Sequence, residues 1–174
     1  MGDRPYYAHS VEGEPFSKWE LLEWHLRRTG ALARRFARAF GAGNWGASAG
    51  LLHDVGKYSE KFQDYIKGQG QSVDHSTGGA IEAIAEYKDA LGHLLAYGIA
   101  GHHAGLPDGG QETNASLASR LRSNNTPAGY ARWRGRVKIP ARGDLLHDLT
   151  PLLGKCPAKE LNFATAFFIR MLFS

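Results

Sequence analysis

Apolar residues fall at helical intervals along most of the chain. Between Lys18 and Phe40, the positions Leu22, Leu26, Ala33, Phe36 and Phe40 recur three, four or seven residues apart, one stripe of a helix. Ser17 and Glu20 make an S-x-x-E capping pattern ahead of that stripe, and Gly41 can end it, so one helix is predicted over 18–40. A second helix is predicted over Trp45–Val55, stopped by Gly56, and a short one over Ser59–Lys67. Gly68–Ser72 reads as a loop. Asp74 or Ser76 can cap the helix that follows to Tyr87, and Leu91, Leu94, Leu95, Gly98 and Ile99 mark another from Leu91 to His102. From Ala104 to Gly143 glycine, asparagine, proline and arginine dominate, leaving room for short helices near Ser116–Leu121 and Ala128–Trp133. Ala158–Ser174 is a dense apolar helix (Leu161, Phe163, Phe167, Phe168, Met171, Leu172). Nothing alternates like a strand for long, and no repeat or heptad is present. The pattern is all-α.

Composition changes this picture little. At 174 residues the chain is expected to form a single domain, 1–174, with a sizeable core. The apolar fraction of 43% and charged fraction of 22% are ordinary for a globular protein. One cysteine, Cys156, excludes an internal disulfide framework and suits a reducing cytoplasm, the expected location. The acidic N-terminal stretch is no secretory signal, and no apolar run approaches the roughly 20 residues a membrane span needs. A net charge of +4 favours an anionic partner, though only weakly.

The polar residues that interrupt the apolar pattern are more informative. In LLHDVGKY (51–58), His53 and Asp54 sit where an apolar helix enters a core. Burying an imidazole and a carboxylate without partners costs several kcal/mol, about the cost of any unpaired buried polar pair, so partners are required. His25, His75, His102 and His103 share the habit of lying in or at the end of a helix beside apolar positions. Each alone reads as a core histidine. Together they are the ligand types that divalent transition metals prefer. Neighbouring residues on a helix project about 100° apart, so the His53–Asp54 and His102–His103 pairs serve one site only from a helix terminus. There a carboxylate can bridge two ions about 3.5–4 Å apart. His93 has no polar neighbour and reads as structural, His147–Asp148 has the wrong following residues, and His9 is a candidate supporting group.

These residues match a known pattern. HDVGKYSEKFQDYI (53–66), DHSTGGA (74–80) and GIAGHHAGLPD (98–108), with AHS (8–10) and LLEWHL (21–26), resemble the HD nuclease domain of the CRISPR-associated helicase–nuclease of type I systems. The resemblance covers almost the whole chain. It implies an all-α HD-superfamily fold holding two divalent transition metal ions (Mn, Fe, Co, Ni or Zn) that cuts single-stranded DNA in antiviral interference. Carried over by position, His25, His53 and Asp54 serve the first ion, Asp54 bridges, and His75, His102 and His103 complete the second. Asp54 and Lys57 are the expected catalytic residues, Lys57 neutralising phosphate charge in the transition state. A fused or separate helicase and the CRISPR surveillance complex (Cascade) are the implied partners.

The match departs at its end. In that family the last helix runs on to an aspartate ligand of the first ion, and Ser174 comes before it. The second ion site is thus expected to be the more secure. No G-x-x-x-x-G-K-[ST] phosphate loop is present, so a helicase is not expected in this chain. Arg120, Arg122, Arg132, Arg134 and Arg136, with Trp133, form a basic stretch interleaved with aromatic residues, the composition single-strand binding uses. Two other readings stay open: an HD nucleotide phosphohydrolase, and a non-catalytic HD module that binds or blocks a CRISPR partner.

Overall fold

The computed structural model describes residues 4–108, 116–123 and 130–173. Their helices are α1 (Leu22–Ala37), α2 (Gly43–Leu52), α3 (Glu60–Ile66), α4 (Ser76–Tyr87), α5 (Asp89–Gly101), α6 (Leu117–Ser123), α7 (Arg142–Leu153) and α8 (Leu161–Phe173). Two short strands, β1 (Tyr7–His9) and β2 (Glu20–Leu21), pair antiparallel, with His9 opposite Glu20. The fold is the predicted all-α one. None of these helices is long and apolar enough to cross a membrane.

α1 and α2 form one antiparallel pair and α4 and α5 another. Between them lies a core of Leu22, Leu26, Trp45, Leu52, Val55, Leu95 and Ile99, each essentially inaccessible. α7 and α8 close the side nearest Trp45. Its indole N–H donates to Leu145 O at 2.9 Å, and its ring meets Phe168 edge-on at 5.1 Å. On the outer side of α1 an apolar groove lined by Leu32, Phe36, Phe40 and Phe173 faces solvent.

Three features depart from the sequence pattern. The first helix starts at Leu22 rather than Lys18 and has no side-chain cap, because Glu20 is committed to the β-pair and its carboxylate to His25. α7 lies where no helix was expected. Its Asp148 accepts hydrogen bonds from Asn44 N (2.7 Å) and Asn44 Nδ2 (3.0 Å), so the second His-Asp dipeptide caps the start of α2. Finally, only a 3-10 turn over Tyr130–Trp133 falls in the described part of the expected 128–133 helix; residues 128 and 129 lie outside the described residues.

Candidate metal centre

The His-Asp pair stands where α2 stops. His53 is the residue after its last turn, and Asp54 leaves the helical region at φ −112° and ψ 13°. Close approach of backbones brings the other groups to it. A Cβ on Gly50 would lie 2.8 Å from Gly30 Cα, so α1 and α2 touch backbone to backbone and His25 comes beside His53. A Cβ on Gly56 would lie 2.1 Å from His75 O, so the HDxGK turn accepts the start of α4 only because that position is glycine. The 13-residue α5 then returns antiparallel to α4 and ends at His102 and His103.

The result is one buried carboxylate ringed by imidazoles. Asp54 Oδ2 lies 3.1 Å from His25 Nε2 and 3.2 Å from His53 Nε2, while Oδ1 lies 3.2 Å from His75 Nε2 and 3.4 Å from His102 Nε2. His103 Nε2 is 2.8 Å from His75 Nε2, and His25 Nε2 is 3.2 Å from His53 Nε2. Every residue expected to bind metal is therefore in one cluster. Asp54 stands between the His25–His53 side and the His75–His102–His103 side.

The orientation of the rings indicates what the cluster suits. His53 Nδ1 is 2.9 Å from Gly50 O, His75 Nδ1 3.3 Å from Val73 O, and His102 Nδ1 2.7 Å from Ile99 O; His25 Nδ1 is 3.3 Å from Glu20 Oε2. An oxygen at Nδ1 fixes the proton there and leaves the Nε2 lone pair of the neutral ring pointing inward. Four inward lone pairs then face a carboxylate, an arrangement suited to a cation between them. Asp54 Oδ1 and His102 Nε2 are both buried and make no hydrogen bond among the described residues. Asp54, His75, His102 and His103 offer donor atoms all within 4.8 Å of one another, as do His9, His25 and Asp54. The residues around Asp54 fit a divalent metal ion.

Electrostatics keeps Asp54 ionised. Burial alone would raise its carboxyl, but the imidazoles of His102, His25, His53 and His75, when protonated at Nε2, hold it well below the usual carboxylate range, and a cation held by the neutral rings would act in the same direction. Burial, with His102 and His75 alongside, lowers His103; burial, with Lys57 and His25 alongside, lowers His9. Both shifts favour the neutral, ligating form of the ring.

Lys57 corrects the sequence reading. Its residue is only 4% exposed, and its ammonium donates to Asp54 Oδ2 at 2.8 Å and to Ala8 O at 3.2 Å. Its ammonium is thus engaged by the carboxylate and the β1 backbone rather than reaching solvent.

The basic stretch is corrected in part. Trp133 is buried, with its indole N–H donating to Glu82 Oε2 at 2.7 Å, so it has no free face for a base. Arg134 pairs with Glu82 at 2.6 Å, and Arg132 with Glu60 and with Tyr6 OH. Arg120 donates to Ala100 O (2.6 Å), Ser76 Oγ (2.8 Å) and Asp74 Oδ2 (3.3 Å), joining the end of α5 to the start of α4. Arg136 lies over the Tyr6 and Tyr58 rings, and Arg122 is on the exposed surface of α6.

Glu20 and Gln63 contact the cluster and the turn beside it, and the sequence pattern did not single them out. Glu20 orients His25, and Gln63 ties Tyr7 to the HD turn through Lys57 O. Gln63 stands within the HDVGKYSEKFQDYI stretch (53–66) that carries the resemblance, in the S-x-x-F-Q pattern Ser59–Gln63; for Glu20 the helix-capping pattern concealed the signal.

Comparison with known proteins follows this geometry. The family described as HD domain matches residues 23–132, more than half of the chain. The "CRISPR-associated nuclease/helicase Cas3" of Haloferax volcanii is 34% identical over 89 residues, covering 45% of this chain and 9% of that protein. The chain thus spans a small fraction of this curated relative's length.

Proposed function

Because this chain belongs to the HD domain family, we propose that its histidine–aspartate cluster is the metal centre of a nuclease that hydrolyses phosphodiester bonds in single-stranded DNA during type I CRISPR interference. Family membership and the cluster support a metal-dependent hydrolase. The relative named as a CRISPR-associated nuclease/helicase supports a nucleic-acid substrate and a CRISPR setting. The observation that carries the reading is the convergence of His25, His53, His75 and His102 Nε2 on the two oxygens of Asp54.

His25, His53 and Asp54 would hold one ion, and Asp54, His75, His102 and His103 the other. Imidazole and carboxylate donors suit manganese, iron, cobalt, nickel or zinc. Such ions, when bound, lend Lewis acidity toward a phosphate and lower the pKa of water. The chain's own residues do the rest. The carbonyls of Gly50, Val73 and Ile99 and the carboxylate of Glu20 orient the four rings. Lys57 fixes Asp54 from behind, and the exposed rim at His103 leaves an open side for a phosphate to approach. A separate or fused helicase and the CRISPR surveillance complex would deliver the unpaired strand.

The test is cleavage of circular single-stranded DNA with added manganese, nickel or cobalt, beside a His53→Ala, Asp54→Ala double variant. Cutting by the wild type alone is expected. Equal cutting by both proteins would contradict the site. Hydrolysis of mononucleotides with intact circles would replace the nuclease reading by a phosphohydrolase, and metal uptake without any hydrolysis would replace it by a binding module.

A further inference from the structure

β1 is three residues long, and a lone two-stranded pair has little stability of its own. Yet buried polar side chains from two other segments are committed to its backbone. Gln63, buried, accepts from Tyr7 N at 3.0 Å through Oε1 and donates to Tyr7 O at 2.9 Å through Nε2. Lys57 Nζ donates to Ala8 O at 3.2 Å, and Leu22 N donates to Tyr6 O at 2.8 Å. Burying an amide and an ammonium is favourable only when each is fully hydrogen-bonded, and here the strand supplies the acceptors.

What this fixed strand presents lies at its end. His9 is held opposite Glu20 by the strand register, and its ring meets that of His25 edge-on at 4.9 Å. The donor atoms of His9, His25 and Asp54 lie within 4.8 Å of one another. Ligands about 2.0–2.2 Å from a shared ion are separated by at most about 4.4 Å, so a small rotation of an exposed ring closes the set. Glu20 Oε2, at 3.9 Å from His9 Nε2, is beyond hydrogen-bond reach and leaves that nitrogen available.

We propose that His9 is a ligand of the ion on the His25 side of Asp54, and that Gln63 is the positioning residue that holds it there. The set on that side then becomes His9, His25, His53 and Asp54, and the glutamine of the S-x-x-F-Q motif acquires a task. The inference rests on the metal-centre reading above, so its test reads bound ions rather than activity.

The whole chain would be titrated with cobalt(II), followed by visible absorption and by metal content after dialysis. Wild type, His9→Ala, His9→Asp, Gln63→Ala and His102→Ala would be compared, with circular dichroism melts to verify folding. His9→Ala is expected to weaken one of two cobalt sites about 10-fold or more and leave the other unchanged. His9→Asp, which restores a donor, should recover most of that loss, and Gln63→Ala should shift the same site as His9→Ala. His102→Ala should weaken the opposite site. Two cobalt ions bound to His9→Ala with wild-type affinity and spectrum would overturn the inference and leave the metal centre standing, as would a single wild-type ion untouched by the substitution. A wild type that takes up no cobalt would remove both.

Discussion

Asp54 and Lys57 divide the work of the centre between them. The carboxylate faces four imidazoles, and the ammonium stands behind it in a water-poor pocket bounded by the strand at Ala8. Removing one member of a buried ion pair leaves the other uncompensated, at a cost of about 3–5 kcal/mol. Lys57→Met should therefore lower the unfolding free energy of the metal-free protein by about 3 kcal/mol, measured by urea titration; an unchanged midpoint would place the lysine outside the pair. The histidines were legible in the sequence because imidazoles on apolar helix faces need an explanation. The direction of Lys57 was not. A lysine just past a helix end ordinarily reaches water, and only the later packing of β1 over that turn reverses it.

Element by element, the hairpin of α4 and α5 carries half of the centre, and two contacts hold it in place. Tyr87, at the end of α4, is buried and its hydroxyl donates to Pro140 O while sharing a hydrogen bond with Ser48. Burial pushes this phenol up to about 12, with the nearby carboxylates of Glu86 and Asp144 adding to the shift against the Ser48 hydrogen bond. Its folded value exceeds the unfolded value of about 10, so its contribution is intact below pH about 10 and is lost as pH rises toward 12. Wild type should lose about 2–3 kcal/mol more than Tyr87→Phe between those pH values, read as the difference of two urea-unfolding series. Parallel curves would contradict the assignment. At the other contact, Gly56→Ala would place a methyl against His75 O. We expect it to weaken metal binding about 10-fold or more by displacing α4, as calorimetric titration would read. The long amphipathic helices were legible from spacing. β1 and β2 were not, because two or three residues carry no alternation, and α7 was hidden because its start follows a run rich in arginine, glycine and proline.

Across the whole molecule, much of the basic stretch among the described residues is taken up in internal ion pairs. Arg120, Arg132 and Arg134 are paired with Asp74, Glu60 and Glu82, and Trp133 is core. Composition revealed the charges but not their partners, since ion pairing between α3, α4 and the 130–136 segment is a product of tertiary packing. The cluster, by contrast, joins residues from α1, α2, α4 and α5, so ions bound there should lock the fold as a unit. Nickel at a hundredfold excess over its dissociation constant should raise the unfolding free energy by about 2.7 kcal/mol per site. Asp54→Asn should abolish that increment, and an equal increment in the variant would locate the ions elsewhere. The most direct test of the account is anomalous X-ray diffraction from crystals of the chain grown with cobalt or nickel. Two peaks flanking Asp54 are expected, one beside His25 and His53 and one among His75, His102 and His103. Occupied metal sites elsewhere with no peak at Asp54 would contradict it.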